Sequence, residues 1–393
     1  IIHQNELMRE TEYQPIQLAG QIEIKRVHSG QISLLENTFY ASQKQESKAT
    51  FKQKLQSCLA QPDIFETQIV QNRTGQPLAL LVYKRKKQRE LEIPIFRLVP
   101  NTLSATLARY LILNTILQST HEKRILTQIT DSCLSDEVVD ALQENGLILK
   151  DNYWLKANLP FVGTTKELVT RLIELSNDLP HANQYFKEFT DILKAVHIPR
   201  ILEVERSLSP TKITDIDIPH FVVSIRPQYA MHLFDSNLAK QDIFGGEKSL
   251  IWNVENVYYR ASHPQVLSAP ARVLWYVSQG DGNYQGTMSI RACSYIDEIV
   301  IDKPKRLYSK FKRLGVYEWK DVFEVAHQNL DQEIMAFRFS HTEIFNKPIF
   351  REVLNQIWKE ENGKQFNILS PISISNPLFF RLYQMGIETT SNT

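Results

Sequence analysis

The stretch "RLVPNTLSATLARYLIL", residues 97–113, decides the fold because it joins two segments of different periodicity. The residues before it alternate as in a β-strand, and from about residue 102 leucines recur at helical spacing. A turn from a strand into a helix commonly binds phosphate groups, since the first amides of a helix are unpaired donors. The stretch contains no glycine. It therefore predicts either a phosphate site of unusual chemistry or a scaffold that has lost its ligand.

The composition is that of an ordinary globular protein with room for two domains. The chain has 393 residues, 42% of them hydrophobic and 23% charged, and its net charge is +1. This balance excludes a strongly basic nucleic-acid-binding protein, so any affinity for polyanions must come from local clusters. No apolar run approaches the roughly 18–20 residues of a membrane span. Three widely separated cysteines favour reduced thiols and a cytoplasmic location, and we expect no membrane partner.

Around the quoted stretch, the periodicity predicts elements in the order β-α-α-β-β-β-α-β-α-β over residues 21–160. This order resembles the GNAT acyltransferase fold, a mixed sheet with flanking helices. The resemblance implies N-acyltransferase activity and acetyl-coenzyme A as the candidate cofactor. Its pyrophosphate would lie on the first amides of the central helix.

The GNAT pattern of one cation and two small residues falls on Leu103, Thr106 and Ala108, of which only Ala108 matches. The candidate cofactor contacts are therefore Ser104, Thr106 and Ala108. Glu92, on the preceding strand, is the candidate general base, although a carboxylate there is also typical of a solvated strand. Because the cation and the glycine are replaced, we expect acetyl-coenzyme A to bind weakly or not at all.

Two further segments adjoin this domain. Residues 1–20 form an N-terminal extension, and residues 161–212 read as a helical connector interrupted by prolines. The first residue is Ile rather than Met, so we expect a piece of a longer protein. A nuclease domain or nuclease partner upstream is one expectation for the remainder.

From residue 213 the pattern changes to strands and turns, and we assign residues 213–390 to a second domain. The segments "SIRPQYA" (224–230) and "GGEKSLIWNVENVYYR" (245–260) resemble the ASCH domains of the PUA-like superfamily. The resemblance implies a small β-barrel that binds RNA or modified bases. It places Lys248, Glu255 and Arg260 at the cavity. The whole chain is thus expected to be α+β.

Binding an unstacked base requires an aromatic surface, a cation for phosphate and polar groups for the base edge. The second domain supplies these residue types in a short span, although Trp252 and Trp275 also fit a hydrophobic core. Arg226 and Arg291 each follow "SI" in an apolar strand, so we expect both to converge with Glu255. The candidate nucleic-acid contacts in this span are Arg226, Tyr229, Lys248, Trp252, Glu255, Tyr258, Arg260 and Arg291.

The run "DKPKRLYSKFKRLGVYEW" (302–319) adds a basic cluster interleaved with aromatic residues. Such a cluster suits phosphates, and a solvated helix face is the alternative. Lys310, Lys312 and Arg313 are its candidate contacts.

Three functions follow from these patterns. The first is a nucleic-acid-binding protein whose partner is RNA or a modified base, with the GNAT-like domain as a platform. The second is an N-acyltransferase directed to RNA or an RNA-bound substrate. The third is a hydrolase acting on a modified base. The sequence contains no HExxH, no Walker A motif and no metal-spaced His/Cys set, so we expect no metal site.

Overall fold

The computed structural model describes residues 22–27, 29–85, 88–195, 197–235, 238, 255–280, 282–314 and 317–388. The predicted extension, residues 1–20, lies outside them. The chain divides into two compact units, Ile1–Asp215 and Ile216–Thr393, and each is described by itself. None of the described helices has the length and apolarity that crossing a membrane requires.

The first unit contains a seven-stranded mixed sheet. Its strands are β1 (Ile22–Arg26), β2 (Phe65–Asn72), β3 (Pro77–Lys84), β4 (Glu90–Leu98), β5 (Leu126–Ile129), β6 (Ile148–Lys150) and β7 (Tyr153–Ala157). They lie in the order β1-β2-β3-β4-β5-β7-β6. Only β4 and β5 run parallel, and the other neighbours are antiparallel.

Four helices alternate with these strands. They are α1 (Ile32–Phe39), α2 (Lys48–Leu59), α3 (Ser104–His121) and α4 (Asp136–Glu144). The predicted order of elements is confirmed, with β6 and β7 forming the closing hairpin. The central strand β3 is buried from Ala79 to Tyr83, as expected for a strand with packed layers on both faces.

The parallel pair ends early. Residues Glu90–Ile93 of β4 pair with Leu126–Ile129 of β5, while β4 continues to Leu98. The N–H of Thr130 still donates to the carbonyl of Ile93 at 3.1 Å. Because β5 ends at Ile129, residues 94–98 of β4 have no strand neighbour on this side among the described residues, and we call this break in the pairing the gap between β4 and β5.

Residues 161–213 also belong to the first unit. They form β8 (Phe161–Gly163), α5 (Thr165–Asp178), α6 (Asn183–Lys194), α7 (Ile198–Ser207) and β9 (Thr211–Ile213). The short strands β8 and β9 pair in parallel. The N–H of Ala157 donates to the hydroxyl of the buried Tyr185 at 2.9 Å, which ties α6 to the end of β7. The predicted connector thus packs against the sheet of this unit.

The second unit contains a six-stranded sheet. Its strands are β10 (His220–Ile225), β11 (Glu255–Ala261), β12 (Ala271–Val277), β13 (Ser289–Asp302), β14 (Ile334–Phe350) and β15 (Ile372–Ile374). The order is β11-β14-β13-β12-β10-β15, and only β10 and β12 run parallel. Among the described residues this sheet has two free ends, β11 and β15, so the closed barrel implied by the resemblance is not confirmed.

In the described part of this unit, five α-helices accompany the sheet. They are α8 (Pro227–Leu233), α9 (Pro304–Phe311), α10 (Trp319–Val325), α11 (Arg351–Asn362) and α12 (Asn376–Ile387). The core centres on Trp275, which is fully buried and packs against Phe234, Phe337 and Phe339. Its indole N–H donates to the hydroxyl of Ser294 at 2.9 Å. The core interpretation of Trp275 is therefore confirmed.

Candidate functional site

In the turn before α3, three backbone amides donate hydrogen bonds to other groups of the same turn. The side-chain oxygen of Asn101 accepts the N–H of Leu103 at 2.7 Å, and the Asn101 carbonyl accepts the N–H of Ser104 at 3.2 Å. The hydroxyl of Ser104 accepts the N–H of Asn101 at 2.8 Å and donates to the carbonyl of Val99 at 3.2 Å. Three amides of this turn, those of Asn101, Leu103 and Ser104, are thus already bonded to the chain itself and are not open to a phosphate.

The side chains predicted to contact a cofactor are buried at the same place. Ser104 is 3% exposed, and Thr106 and Ala108 are not exposed at all. The structure therefore brings the three residues together, but inside the packed face of α3. These residues do not fit a coenzyme A pyrophosphate, and we derive no chemistry through that group.

An ion-pair cluster spans the gap between β4 and β5. The guanidinium of Arg97 contacts the carboxylates of Asp131 and Glu46, the second at 3.0 Å. Lys54 approaches Asp131 at 3.7 Å, and the N–H of Phe96 donates to the same carboxylate at 2.8 Å. Burial alone would lower the pKa of Arg97, but Asp131 and Glu46 outweigh it and raise that pKa. The gap is therefore filled by the chain's own charges.

Glu92 lies on β4 close to this region. Its carboxylate accepts from the ammonium of Lys84 at 2.9 Å and from the hydroxyl of Thr130 at 3.4 Å. The contacts are those of an ion-paired strand carboxylate, and the general-base role stays a prediction.

In the second unit, three tyrosines from separate segments meet; we call them the tyrosine cluster (Tyr229, Tyr258, Tyr317). The Tyr229 ring, in the first turn of α8, stacks on Tyr317 with a centroid distance of 4.5 Å. The Tyr258 ring, on β11, meets Tyr317 edge-on at 6.1 Å. The Tyr258 hydroxyl donates to the carbonyl of Ser224 at 3.3 Å, and burial raises the pKa of Tyr258 to about 12. Tyr317 is buried, whereas Tyr229 and Tyr258 are partly exposed.

Two arginines adjoin the tyrosine cluster. Arg260 follows Tyr258 by two residues and so lies on the same face of β11. Its Nη1 is buried and has no hydrogen-bond partner in the described part of the chain, and burial lowers the pKa of Arg260. Arg226 precedes α8 and is exposed, and its charge acts on both Tyr229 and Tyr258. Within the described part of the chain, neither arginine forms an ion pair.

The predicted convergence of Arg226, Glu255 and Arg291 is wrong. Glu255 pairs with Arg338 at 2.9 Å, and its odd position places it on the face of β11 opposite Arg260. Arg291 is almost buried, where it pairs with Asp235 at 2.5 Å and donates to the carbonyl of Gly286 at 3.1 Å.

The cause at Arg291 is a break in strand pairing. The register of β13 against β14 shifts between Ile290 and Ala292, which are the two neighbours of Arg291. A bulge of this kind redirects the side chain that it contains. Local alternation in the sequence does not reveal such a shift.

The remaining candidate contacts are either exposed on the second unit or outside the described residues. Lys248, Trp252 and the side chain of Arg313 lie outside the described residues. Lys310 is exposed on α9, pairs with Glu298 at 2.5 Å and lies 4.8 Å from the ring centroid of Phe311. Lys312 is exposed just after α9. Their contact with nucleic acid stays a prediction.

The sequence interpretation missed Tyr317. The residue lies within the run 302–319, but that run was singled out for its cations. The aromatic residues in "VYEW", at the end of the run, are the signal that could have identified Tyr317. As for metals, the described residues contain no group of three or more His, Cys, Asp or Glu side chains that could hold an ion.

No protein-family model matches the chain, and the search among curated proteins found no relative. Among solved structures, the chain is similar to the ASCH protein of Zymomonas mobilis, at 16% identity, 42% coverage of this chain, 94% coverage of that one and a TM-score of 0.31. It is also similar to the spermidine N-acetyltransferase of Vibrio cholerae in complex with CoA and spermine. The identity is 13%, the match covers 33% of this chain and 82% of that one, and the TM-score is 0.27. A third similar structure is the PaiA N-acetyltransferase of Thermoplasma acidophilum in complex with coenzyme A. The identity is 12%, the match covers 34% of this chain and 96% of that one, and the TM-score is 0.29.

Proposed function

We propose that the protein binds single-stranded RNA through the tyrosine cluster together with Arg226 and Arg260. The observation that carries the proposal is the Nη1 of Arg260, which is buried beside partly exposed aromatic rings and has no hydrogen-bond partner among the described residues. A buried cationic donor without an acceptor costs free energy, so its position calls for an acceptor from beyond the described residues.

The neighbouring side chains favour RNA as the source of that acceptor. Phosphate oxygens and base edges accept charge-assisted hydrogen bonds from guanidinium groups. The rings of Tyr229 and Tyr258 add apolar faces of the kind on which unpaired bases stack. Arg226, exposed at the start of α8, supplies a second cation on the same side. A small inorganic anion would use the cations but not the rings. The resemblance of "SIRPQYA" to ASCH domains supports the same choice.

In this proposal the first unit is a scaffold rather than an acyltransferase. Two observations support this role. The amides of Asn101, Leu103 and Ser104 are hydrogen-bonded within their own turn, and the guanidinium of Arg97 is paired with Asp131 and Glu46, so an acyl carrier would have to displace these contacts. No contact among the described residues favours the modified-base hydrolase.

The test is an equilibrium titration of the full chain with a fluorescein-labelled single-stranded RNA of about 12 nucleotides. Arg260→Met should weaken binding by about 1–3 kcal/mol, the size of one lost guanidinium contact. The same change should leave the free energy of unfolding unchanged or raise it, since it removes a desolvated charge.

Arg338→Met is the matched control. Arg338 lies on the adjacent strand β14 and carries the same charge, but it pairs with Glu255 and Glu298. This variant should lose stability and retain RNA affinity. If Arg260→Met binds RNA as the wild type does, the site is not where RNA binds.

A further inference from the structure

A basic groove lies at one end of the second sheet. Its volume is about 450 Å³, within the range of small-ligand sites. The residues that line it are Lys303, Lys305, Arg306, Ser309, Leu330 and Asp331.

Strand pairing places this groove at the same end of the sheet as Arg260. Ala261, the residue after Arg260, pairs with Ile334 at the start of β14. Ile334 in turn pairs with Asp302, the last residue of β13. The groove residues follow Asp302 and precede Ile334 in the chain, so the groove and Arg260 lie at the same end of three neighbouring strands.

The charges in the groove are unevenly balanced. Lys303 pairs with Asp331 at 2.5 Å, and Arg306 lies 3.5 Å from Asp302. Lys305 is exposed and forms no ion pair with the described residues. The lining thus carries three cations against one carboxylate. Leu330, which is 53% exposed, adds an apolar wall.

We propose that the groove is a second nucleotide subsite, which holds a neighbouring nucleotide of the RNA strand bound at Arg260. The inference rests on the proposed function. Lys305 and Arg306 contact the backbone phosphate, and the Ser309 hydroxyl donates a further hydrogen bond. Leu330 packs against the sugar or the base. The Lys303–Asp331 pair lies at one side of the subsite, and because Lys303 is paired there it does not contact the RNA.

The first test removes the phosphate contacts. The double variant Lys305→Ala, Arg306→Ala in the full chain should bind the labelled RNA of about 12 nucleotides about tenfold more weakly. The slope of log K against log salt should become shallower by about 1.4, since each lost phosphate contact on a single strand removes about 0.7. The control is Lys359→Ala, Lys364→Ala, which removes the same charge from exposed positions of the second unit outside the groove. Its affinity and slope should match the wild type.

The second test has the opposite sign. Asp331→Asn frees Lys303 from its partner and should tighten RNA binding by a few-fold with a steeper salt dependence. A folding defect cannot mimic this gain. All the substituted residues are exposed, so the thermal midpoints of these variants should match the wild type.

The outcomes separate this inference from the proposed function. If Arg260→Met loses affinity while both groove variants behave like the wild type, the subsite is refuted and the proposed function stands. If the double variant loses no more than its lysine control, the same conclusion follows. If the wild type binds no RNA, both proposals fall together.

Discussion

The ring of Tyr229 lies 4.5 Å from the ring of Tyr317, centroid to centroid, with the planes 28° apart. This stack joins the first turn of α8 to the segment that precedes α10. Tyr317 is buried and Tyr229 is partly exposed, so the inner ring supports the outer one. An aromatic surface that is held from beneath loses little conformational entropy when a base stacks on it.

The hydroxyl of Tyr317 offers a direct measure of this arrangement. It is buried and has no hydrogen-bond partner within the described ranges, and burial raises the pKa of Tyr317 well above its ordinary value. Tyr317→Phe removes the unpaired group and should raise the free energy of unfolding by about 1 kcal/mol. Tyr317→Ala removes the ring and should lower it by about 3–5 kcal/mol. Urea denaturation checks both values.

Tyr383→Phe is the control for the hydroxyl. Tyr383 is also buried, but its hydroxyl donates to Glu343 at 2.5 Å. Loss of that bond should destabilise the protein. Equal effects of the two Tyr→Phe changes would contradict the assignment at Tyr317.

Arg97→Met should destabilise the first unit strongly. The change leaves Asp131, which is 3% exposed, with Lys54 at 3.7 Å as its remaining cation. Breaking one side of a buried ion pair costs about 3–5 kcal/mol. The double variant Arg97→Met, Asp131→Leu removes this pair but also takes away the partners of Glu46 and of the Phe96 N–H, so it should recover part of the loss. A double variant as unstable as the single one would contradict a charge contribution of the pair.

Acetyl-coenzyme A should produce no measurable binding heat in isothermal titration calorimetry with the full chain. The amides of Asn101, Leu103 and Ser104 already have acceptors, so the cofactor would have to displace them. The Thermoplasma acidophilum N-acetyltransferase, solved with coenzyme A, is the positive control. Micromolar binding to this chain would overturn the scaffold role of the first unit.

Lys156 should make stability depend on pH above neutrality. Burial lowers the pKa of Lys156 to about 8 from its ordinary 10.5, and among the described residues its ammonium donates only to the Ser207 carbonyl, at 3.2 Å. The folded protein therefore holds this proton less tightly than the unfolded chain does. The cost is present in full below pH of about 8 and disappears as the pH rises toward 10.5, so the contribution of Lys156 to stability improves across that window.

The size of this effect is about 3 kcal/mol at most, from 1.36 kcal/mol per unit of pKa. Lys156→Met should be more stable than the wild type at neutral pH, and the difference should shrink above pH of about 8. Urea denaturation at both ends of the window measures it. A difference in unfolding free energy that does not change with pH would contradict the lowered pKa of Lys156 in the folded protein.

The order of elements in the first unit was predictable because each element carries its own periodicity. The strand β3 is a short apolar run, and α3 repeats leucine at helical spacing, so neighbouring residues suffice to identify them. The burial of Trp275 was likewise legible from its apolar strand. Barrel closure depends on pairing between distant strands, which no local pattern encodes.

The partners of the charged residues were not predictable for a related reason. Glu255 and Arg260 are five residues apart, and the alternation of a strand sends them to opposite faces once the strand bounds are known. Arg291 was misplaced by a bulge, and its partner Asp235 lies 56 residues away along the chain. The tyrosine cluster needed three separate segments to be brought together.

The Arg97–Asp131 pair also bears on how this chain can change over generations. A descendant that opened the gap between β4 and β5 to a cofactor would have to replace both residues. Either replacement alone leaves a buried charge with a weakened partner, and the resulting instability would be selected against. The two replacements are therefore coupled, because the second restores part of the stability that the first removes.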